Sequence, residues 1–391
     1  MKIDLFCELQ RAQPYRREDE RQLIDETLEQ ARVADEVGYG CWWSVEHHGT
    51  PGFSHSSTPE LFNLLVATNT SRIRIGHSGV LAPFNINHPI RVAERAAFLD
   101  IISDGRLELG LARSSVPEWD AFGVDGGSSR DQMMELFDML PQMWESEAFS
   151  WDTDLLRIPE RNVVPKPLQT FPPLWQTCTS EEAFRLAGEA GVGALGTTLL
   201  SPIDSLRQLR EAYKGGIAAA APRGRTVNDQ FAVFTFVHCA ESRDEAIVSR
   251  AGEAVLWYIN SGPKVFQAPR KMWMDNIRGN LLSGKDPAAM RASQPSESIE
   301  VDPDDPVPVI RLLNRQLLGE ELDPEEVYDV LDEIESVIIG DPDTCLAKMK
   351  RYADVGVDRL MCFQQFGSLD NDRAVDSIRR VGDTLIPTLS A

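Results

Sequence analysis

Twelve residues, "SVEHHGTPGFSH" (44–55), hold one carboxylate and three of the chain's six histidines: Glu46, His47, His48 and His55. Imidazole titrates near neutral pH and is a common metal ligand, so the cluster offers either proton transfer or a metal site. A zinc site wants three or four ligands converging on one point. Successive residues of a strand face opposite ways, so Glu46, His47 and His48 cannot all face one ion if the strand runs on. There is no HExxH motif and no HxH on the first strand. The cluster therefore reads as binding no metal. His47 is taken as the proton-handling or substrate-orienting residue, while His48 and His55 also fit buried or solvated structural roles.

Something must carry these residues to one place. The chain alternates short apolar strands with amphipathic helices. Strands are expected at 2–9, 39–46, 72–83, 105–112, 172–178, 191–197, 229–239 and 358–367. Helices are expected at 18–38, 57–70, 88–103, 128–146 (with Pro141 kinking it or marking its last turns), 180–191, 204–221 and 372–386. Eight such units predict an α/β fold, a closed (β/α)8 TIM barrel, with residues 1–391 as a single domain. The exception is about 260–325, rich in Pro, Asp, Ser and Gly, which reads as a mobile insertion or lid between strands seven and eight. In such a barrel the active site lies where the strands end, which puts Glu46, His47 and His48 at the functional mouth.

The 391 residues carry a net charge of −22, which argues against nucleic-acid or anionic-membrane partners. No signal peptide and no apolar run near the ~20 residues of a membrane span are visible. The six cysteines are scattered without a CxxC pair, so reduced thiols and a cytoplasmic location are expected.

The stretch "HPIRVAERAAFLDIISDGRLELGLARSSVPEWDAFGVD" (88–125) resembles the bacterial luciferase-like flavin monooxygenases. It carries His88, Pro89, Arg91, Ala93 and Glu94, then Leu99, Asp100, Ser103, Gly105, Arg106 and Gly110, then Arg113, Phe122 and Gly123. The likeness extends to "WWSVEHH", to Phe6, to Trp257–Tyr258 and to 340–367, and is nearest in pattern to the luciferase alpha subunit. It implies a TIM barrel with an insertion between strands seven and eight. It also implies that reduced FMN, supplied by a separate flavin reductase, reacts with O2 through a flavin peroxide to oxygenate a small organic substrate.

Residue by residue, the resemblance implies that Arg113, with Ser115 at the end of strand four and Thr179–Ser180 at a helix start, holds the FMN phosphate. Ser78–Gly79 takes the place of a bulge with a non-proline cis peptide that supports the flavin ring. His47 matches a histidine needed for productive oxygenation. Trp257 and Tyr258 match an aromatic pair near the ring. Phe6, His77, Tyr258 and Gln364 are placed at the substrate pocket. A homodimer through the second and third helices, which are apolar and rich in small residues, is the default.

Two departures bear on activity: Ala112 stands where the luciferases have a reactive cysteine, and Thr179 where they have a glutamate. Both weaken aldehyde-dependent light emission as the reaction. Hydroxylation, Baeyer–Villiger insertion and N-oxidation stay open. So do hydride transfer with the deazaflavin F420, flavin binding without turnover, and a metal-dependent barrel hydrolase.

Overall fold

The computed structural model describes residues 1–11, 14, 16–282 and 301–390. The first strand, β1 (Lys2–Cys7), leads into helix α1 (Asp19–Val37), which stops at Gly38 in the left-handed region (φ 92°). Then come β2 (Cys41–Ser44), α2 (Pro59–Asn69), β3 (Arg74–Leu81), α3 (Pro89–Ile102) and β4 (Leu107–Ala112). Proline opens both α2 and α3, where its missing N–H costs nothing. Two helices follow, α4 (Val116–Phe122) and α5 (Ser129–Glu145), the second running through Pro141 in its last turns. An antiparallel hairpin, β5 (Phe149–Asp152) with β6 (Arg157–Arg161), fills what the sequence suggested was irregular chain.

The alternation resumes with β7 (Leu174–Thr177), α6 (Glu181–Glu189), β8 (Gly193–Thr197), α7 (Ser205–Ala218) and β9 (Phe231–Cys239). After the insertion, the short β10 (Ile338–Gly340) adds to β9, and β11 (Arg359–Phe363) completes the barrel. The closed parallel order is β1-β2-β3-β4-β7-β8-β9-β11, with β11 returning to β1, so the predicted TIM barrel is the observed fold. The strands are buried almost throughout, as parallel strands covered by helices must be.

One irregularity matters for the site. The β3–β4 register shifts between His77 and Val80, which makes a bulge at Ser78–Gly79. It is possible because Gly110 lies behind it: a Cβ there would sit 2.7 Å from the His77 carbonyl oxygen. The bulge is as expected, but the cis peptide is not. Among the described residues the only cis bond is Val164–Pro165, so Ser78–Gly79 is trans. A non-proline cis bond costs ~3–4 kcal/mol, and here the extra residue of the bulge makes the bend without it.

The insertion also differs from expectation. The connection from β9 to β10 that holds it contains α8 (Arg243–Val248), α9 (Ala251–Val265), α10 (Arg270–Leu282) and the helices Pro308–Leu317 and Pro324–Asp332, of which α10, Pro308–Leu317 and the ends of α9 and Pro324–Asp332 fall within 260–325. Leu256, Ile259, Ile310 and Leu313 bury their side chains in one apolar cluster with Phe6, Trp43 and Phe363 of the barrel. Much of 260–325 is thus packed helix, and only 283–300 falls outside the described residues. At the opposite end of the barrel from the strand C-termini, Arg359 donates to both carboxylate oxygens of Asp4, at 2.6 and 3.2 Å. Its guanidinium lies 5.7 Å from the ring centres of Trp43 and Trp175.

Candidate active site

The C-terminal ends of the barrel strands surround a cavity of about 510 Å³. Five strands send in residues at or near their C-terminal ends: Phe6 and Glu8 from β1, Glu46 and His47 from β2, Ser78 and Gly79 from the bulge of β3, Arg113 to Ser115 from β4, and Thr177 to Ser180 from β7. Phe234, Met361, Tyr258, Phe266 and Trp273 complete a largely apolar wall. Of the residues singled out from sequence, Phe6, His47, Ser78, Gly79, Arg113, Ser115, Thr179, Ser180 and Tyr258 meet here.

Three others do not. Trp257 is turned from the cavity and packs on the 363–367 turn, 3.0 Å from where a Cβ on Gly367 would be. Tyr258, one residue on, faces inward, because neighbours on a helix point about 100° apart. His77 sits on the outer side of β3 against Arg95, Ala96 and Leu99, with Nε2 3.7 Å from Glu46. Its burial depresses its pKa below the ordinary histidine value, so it is held neutral. Gln364 is fully buried between Tyr39 and Ser377, donating to one hydroxyl and accepting from the other.

The opening cluster resolves into two acid–imidazole pairs. His48 Nε2 lies 3.0 Å from Glu46 Oε1, whose carboxylate also accepts from the Leu81 backbone N–H and from Asn87. His47 Nδ1 lies 3.2 Å from Glu118 Oε1. Glu118 was not foreseen, although "SVPE" (115–118) has the Ser-x-x-Glu spacing of a helix-capping box. The carboxylate also accepts from the His48 backbone N–H, from Ser114 Oγ, and from the N–H and Oγ of Ser115. Ser114 holds a left-handed backbone (φ 69°) to make this turn. Burial would raise the Glu118 pKa, but His47 and these donors outweigh it and bring it down to about 2. For His47, burial works against the charged form. The Glu118 hydrogen bond and charge, with the charges of Glu8 and Glu46, overcome it and raise the pKa above the ordinary value. With Nδ1 engaged, Nε2 is the nitrogen left for exchange with the cavity.

Across the barrel lies a cationic end. Arg113 donates through Nε and Nη2 to Ser129 Oγ at 3.1 and 2.9 Å and lies against Trp119. Burial first, then the neighbouring charge of Arg130, lowers its pKa. Arg130, on α5, lines the same cavity and was missed from sequence, where it looks like any helix-surface arginine. Ser180 caps α6, its Oγ accepting from Ala183 N–H, so the positive end of that helix meets the two guanidiniums.

These residues fit a flavin mononucleotide. Two arginines and a helix N-terminus suit its phosphate. The bulge offers a flat floor at Gly79, where a Cβ would come within 2.9 Å of Ala112 and 3.2 Å of Thr177 Oγ1. In the wall, the buried Gln176 Oε1 and Trp273 Nε1 have no hydrogen-bond partner among the described residues, one an acceptor and one a donor facing a ligand's space. No group of three or more potential ligand residues that could hold a metal occurs among the described residues.

Over 203 residues the chain is 30% identical to the oxygenase component of a flavin-dependent trigonelline monooxygenase from Acinetobacter baylyi, covering 51% of this chain and 55% of that one. The match thus spans little more than half the length of that relative. Among solved structures, the oxygenating constituent of 3,6-diketocamphane monooxygenase from Pseudomonas putida, in complex with FMN, superposes with a TM-score of 0.67 at 19% identity, over 99% of this chain and 98% of that one. The coenzyme F420-dependent tetrahydromethanopterin reductase of Methanopyrus kandleri also reaches a TM-score of 0.67, at 17% identity over 99% of each chain. These two likenesses establish the fold. A family model described as luciferase-like monooxygenase matches residues 1–359, and the chain belongs to that family.

Proposed function

We propose that the protein is the oxygenating component of a two-component monooxygenase, taking reduced FMN from a separate cytoplasmic flavin reductase and using O2 to oxygenate a small organic molecule. The observation that carries this reading is one apolar cavity that joins a two-arginine anion site to a buried imidazole–carboxylate pair. Arg113, Arg130 and the start of α6 hold the phosphate. Gly79 and the bulge leave room for the flat ring system. Reduced FMN, when bound, supplies the electrons that activate O2. Phe6, Phe234, Met361 and Phe266 keep water out, and His47, charged through Glu118, holds or delivers a proton at Nε2.

Arg130 also supports a second reading. F420 carries a longer acidic tail, and a second arginine at the cavity mouth is what it needs. An anaerobic absorbance titration with reduced FMN and, separately, reduced F420, each then mixed with O2, tests both. Tight binding of FMN and a slow, delayed return of its oxidised spectrum is expected. Binding of F420 alone, without reaction with O2, would replace the monooxygenase with a hydride-transfer enzyme.

The protein is further proposed to be a homodimer through α2 and α3. Leu61 and Phe98, 61% and 50% exposed, with Leu65, Ile101 and Ile102, leave an apolar face there that solvent does not favour.

A further inference from the structure

Among the described residues, Glu8 is the one carboxyl lining the cavity whose direct partners are all neutral. It is 3% exposed. Tyr258 donates its hydroxyl to Glu8 Oε1 at 3.0 Å, and Gln10 donates Nε2 to Oε2 at 2.8 Å. Gln10 is itself fixed, accepting from the Gly367 backbone N–H. Tyr258 is gripped by the rings of Phe53, Phe236 and Phe363, with centroids 5.0, 5.1 and 5.6 Å away. Burial pushes the Tyr258 pKa above its ordinary value, so the hydroxyl stays a donor. The other acids of the cavity each have an imidazole in contact, Glu46 with His48 and Glu118 with His47. His47 acts on Glu8 only through space, and burial leaves the Glu8 pKa raised to about 7. A carboxyl held rigidly, desolvated and lacking a contacting cation is a site that a positive group completes.

Its surroundings point the same way. An aromatic wall runs from Tyr258 through Phe53 to Phe266, with centroids 5.0 and 6.1 Å apart, and on to Trp273, which stacks on Phe266 at 6.2 Å. Aromatic rings beside a carboxylate suit an organic cation. Glu8 follows β1, while Arg113 and Ser180 follow β4 and β7 on the far side of the barrel. His47 borders the same wall, 5.9 Å from the Phe53 ring centre and 6.3 Å from that of Phe266, but its charge is matched by Glu118; Glu8 is the acid left over at this end, and the phosphate end is not the Glu8 end.

We propose that Glu8, held by Tyr258 and Gln10, is the specificity determinant of the substrate end, and that the substrate class is a compact, largely apolar molecule bearing one protonated amine. This rests on the reading of the arginine end as a flavin-phosphate site. The test therefore begins with an FMN titration, which judges that reading alone. The arginine end is next blocked with oxidised FMN, or with inorganic phosphate if FMN does not bind. Benzylamine, benzyl alcohol and benzoate are then titrated against tryptophan fluorescence, in the unaltered protein and in Glu8→Gln.

In the unaltered protein benzylamine is expected to bind at least about tenfold more tightly than benzyl alcohol, and benzoate weakest of the three. In Glu8→Gln, benzylamine and benzyl alcohol should come within about threefold of each other, with circular dichroism reporting that the fold is kept. Equal binding of benzylamine and benzoate by the unaltered protein overturns the proposal, whether or not the variant folds. So does a folded variant that keeps the amine preference, or one that changes only FMN affinity. Failure of FMN to bind while the amine preference holds would remove the flavin reading and leave the Glu8 assignment standing.

Discussion

Protonation of His47 is set by the carboxylate behind it, and the two should be separable by mutation. Glu118 has a pKa below the ordinary carboxylate range, so its contribution to stability is present above roughly pH 4.5 and is lost as pH falls toward 2. The His47 pKa is raised, so its contribution is full below roughly pH 6.5 and is lost as pH rises through the shifted value. The pair therefore stabilises most between those limits. Glu118→Gln should cost about 2 kcal/mol there and less on either side, which thermal melts across pH will read. A cost that does not vary with pH would uncouple the pair. His47→Asn should keep FMN binding but release peroxide in place of coupled product, as oxygen electrodes and peroxide assays can measure. At the cationic end, Arg113→Ala and Arg130→Ala should each weaken FMN at least about tenfold and riboflavin less than about twofold. Equal losses for both ligands would remove the phosphate assignment. Glu118 and Arg130 escaped sequence reading for different reasons. The Ser-x-x-Glu spacing of Glu118 is common to helix starts and does not by itself mark a site residue, while Arg130 is brought to the cavity only by the packing of α5.

At the scale of elements, the bulge in β3 decides whether a flat ring can enter. Gly79→Val would push a side chain toward Ala112 and Thr177. FMN affinity is expected to fall at least about tenfold, with the crowding itself costing about 1–3 kcal/mol of stability, and undiminished affinity in the folded variant would mean that the ring lies elsewhere. The eight barrel strands were legible because each is a buried apolar run, most of them followed by a periodic helix, although the helix Pro342–Asp354 before β11 was not foreseen. The insertion was not. Pro, Asp and Ser dominate its composition, yet those prolines open helices at Pro308 and Pro324 and the Asp323 side chain caps one of them. Composition averaged over sixty residues hid punctuation that single positions carried. The hairpin of β5 and β6 was missed because its strands are short and mostly exposed, which leaves little apolar pattern to read.

For the whole molecule, the apolar face on α2 and α3 makes a prediction about size. Phe98→Glu together with Leu61→Glu should turn a dimer into a monomer in sedimentation, without unfolding, since both side chains are exposed in one chain. A monomeric unaltered protein would refute the homodimer. No helix among the described residues is long and apolar enough to cross a membrane.

The ion pair between Asp4 and Arg359 joins residues 355 apart in sequence. During synthesis, at ~5–20 residues per second, β1 therefore waits tens of seconds for its second neighbour. Over that interval the nascent chain carries at most an open seven-strand blank with one edge at β1, and the two sides of the Glu8–Tyr258 contact have no barrel to hold them together. Ribosome-bound chains arrested before Arg359 should accordingly be captured by chaperones and cut by protease, and should become resistant only once β11 has emerged. The last strand, though it gives the cavity wall little beyond Met361, is the one whose arrival turns a sticky intermediate into a closed vessel.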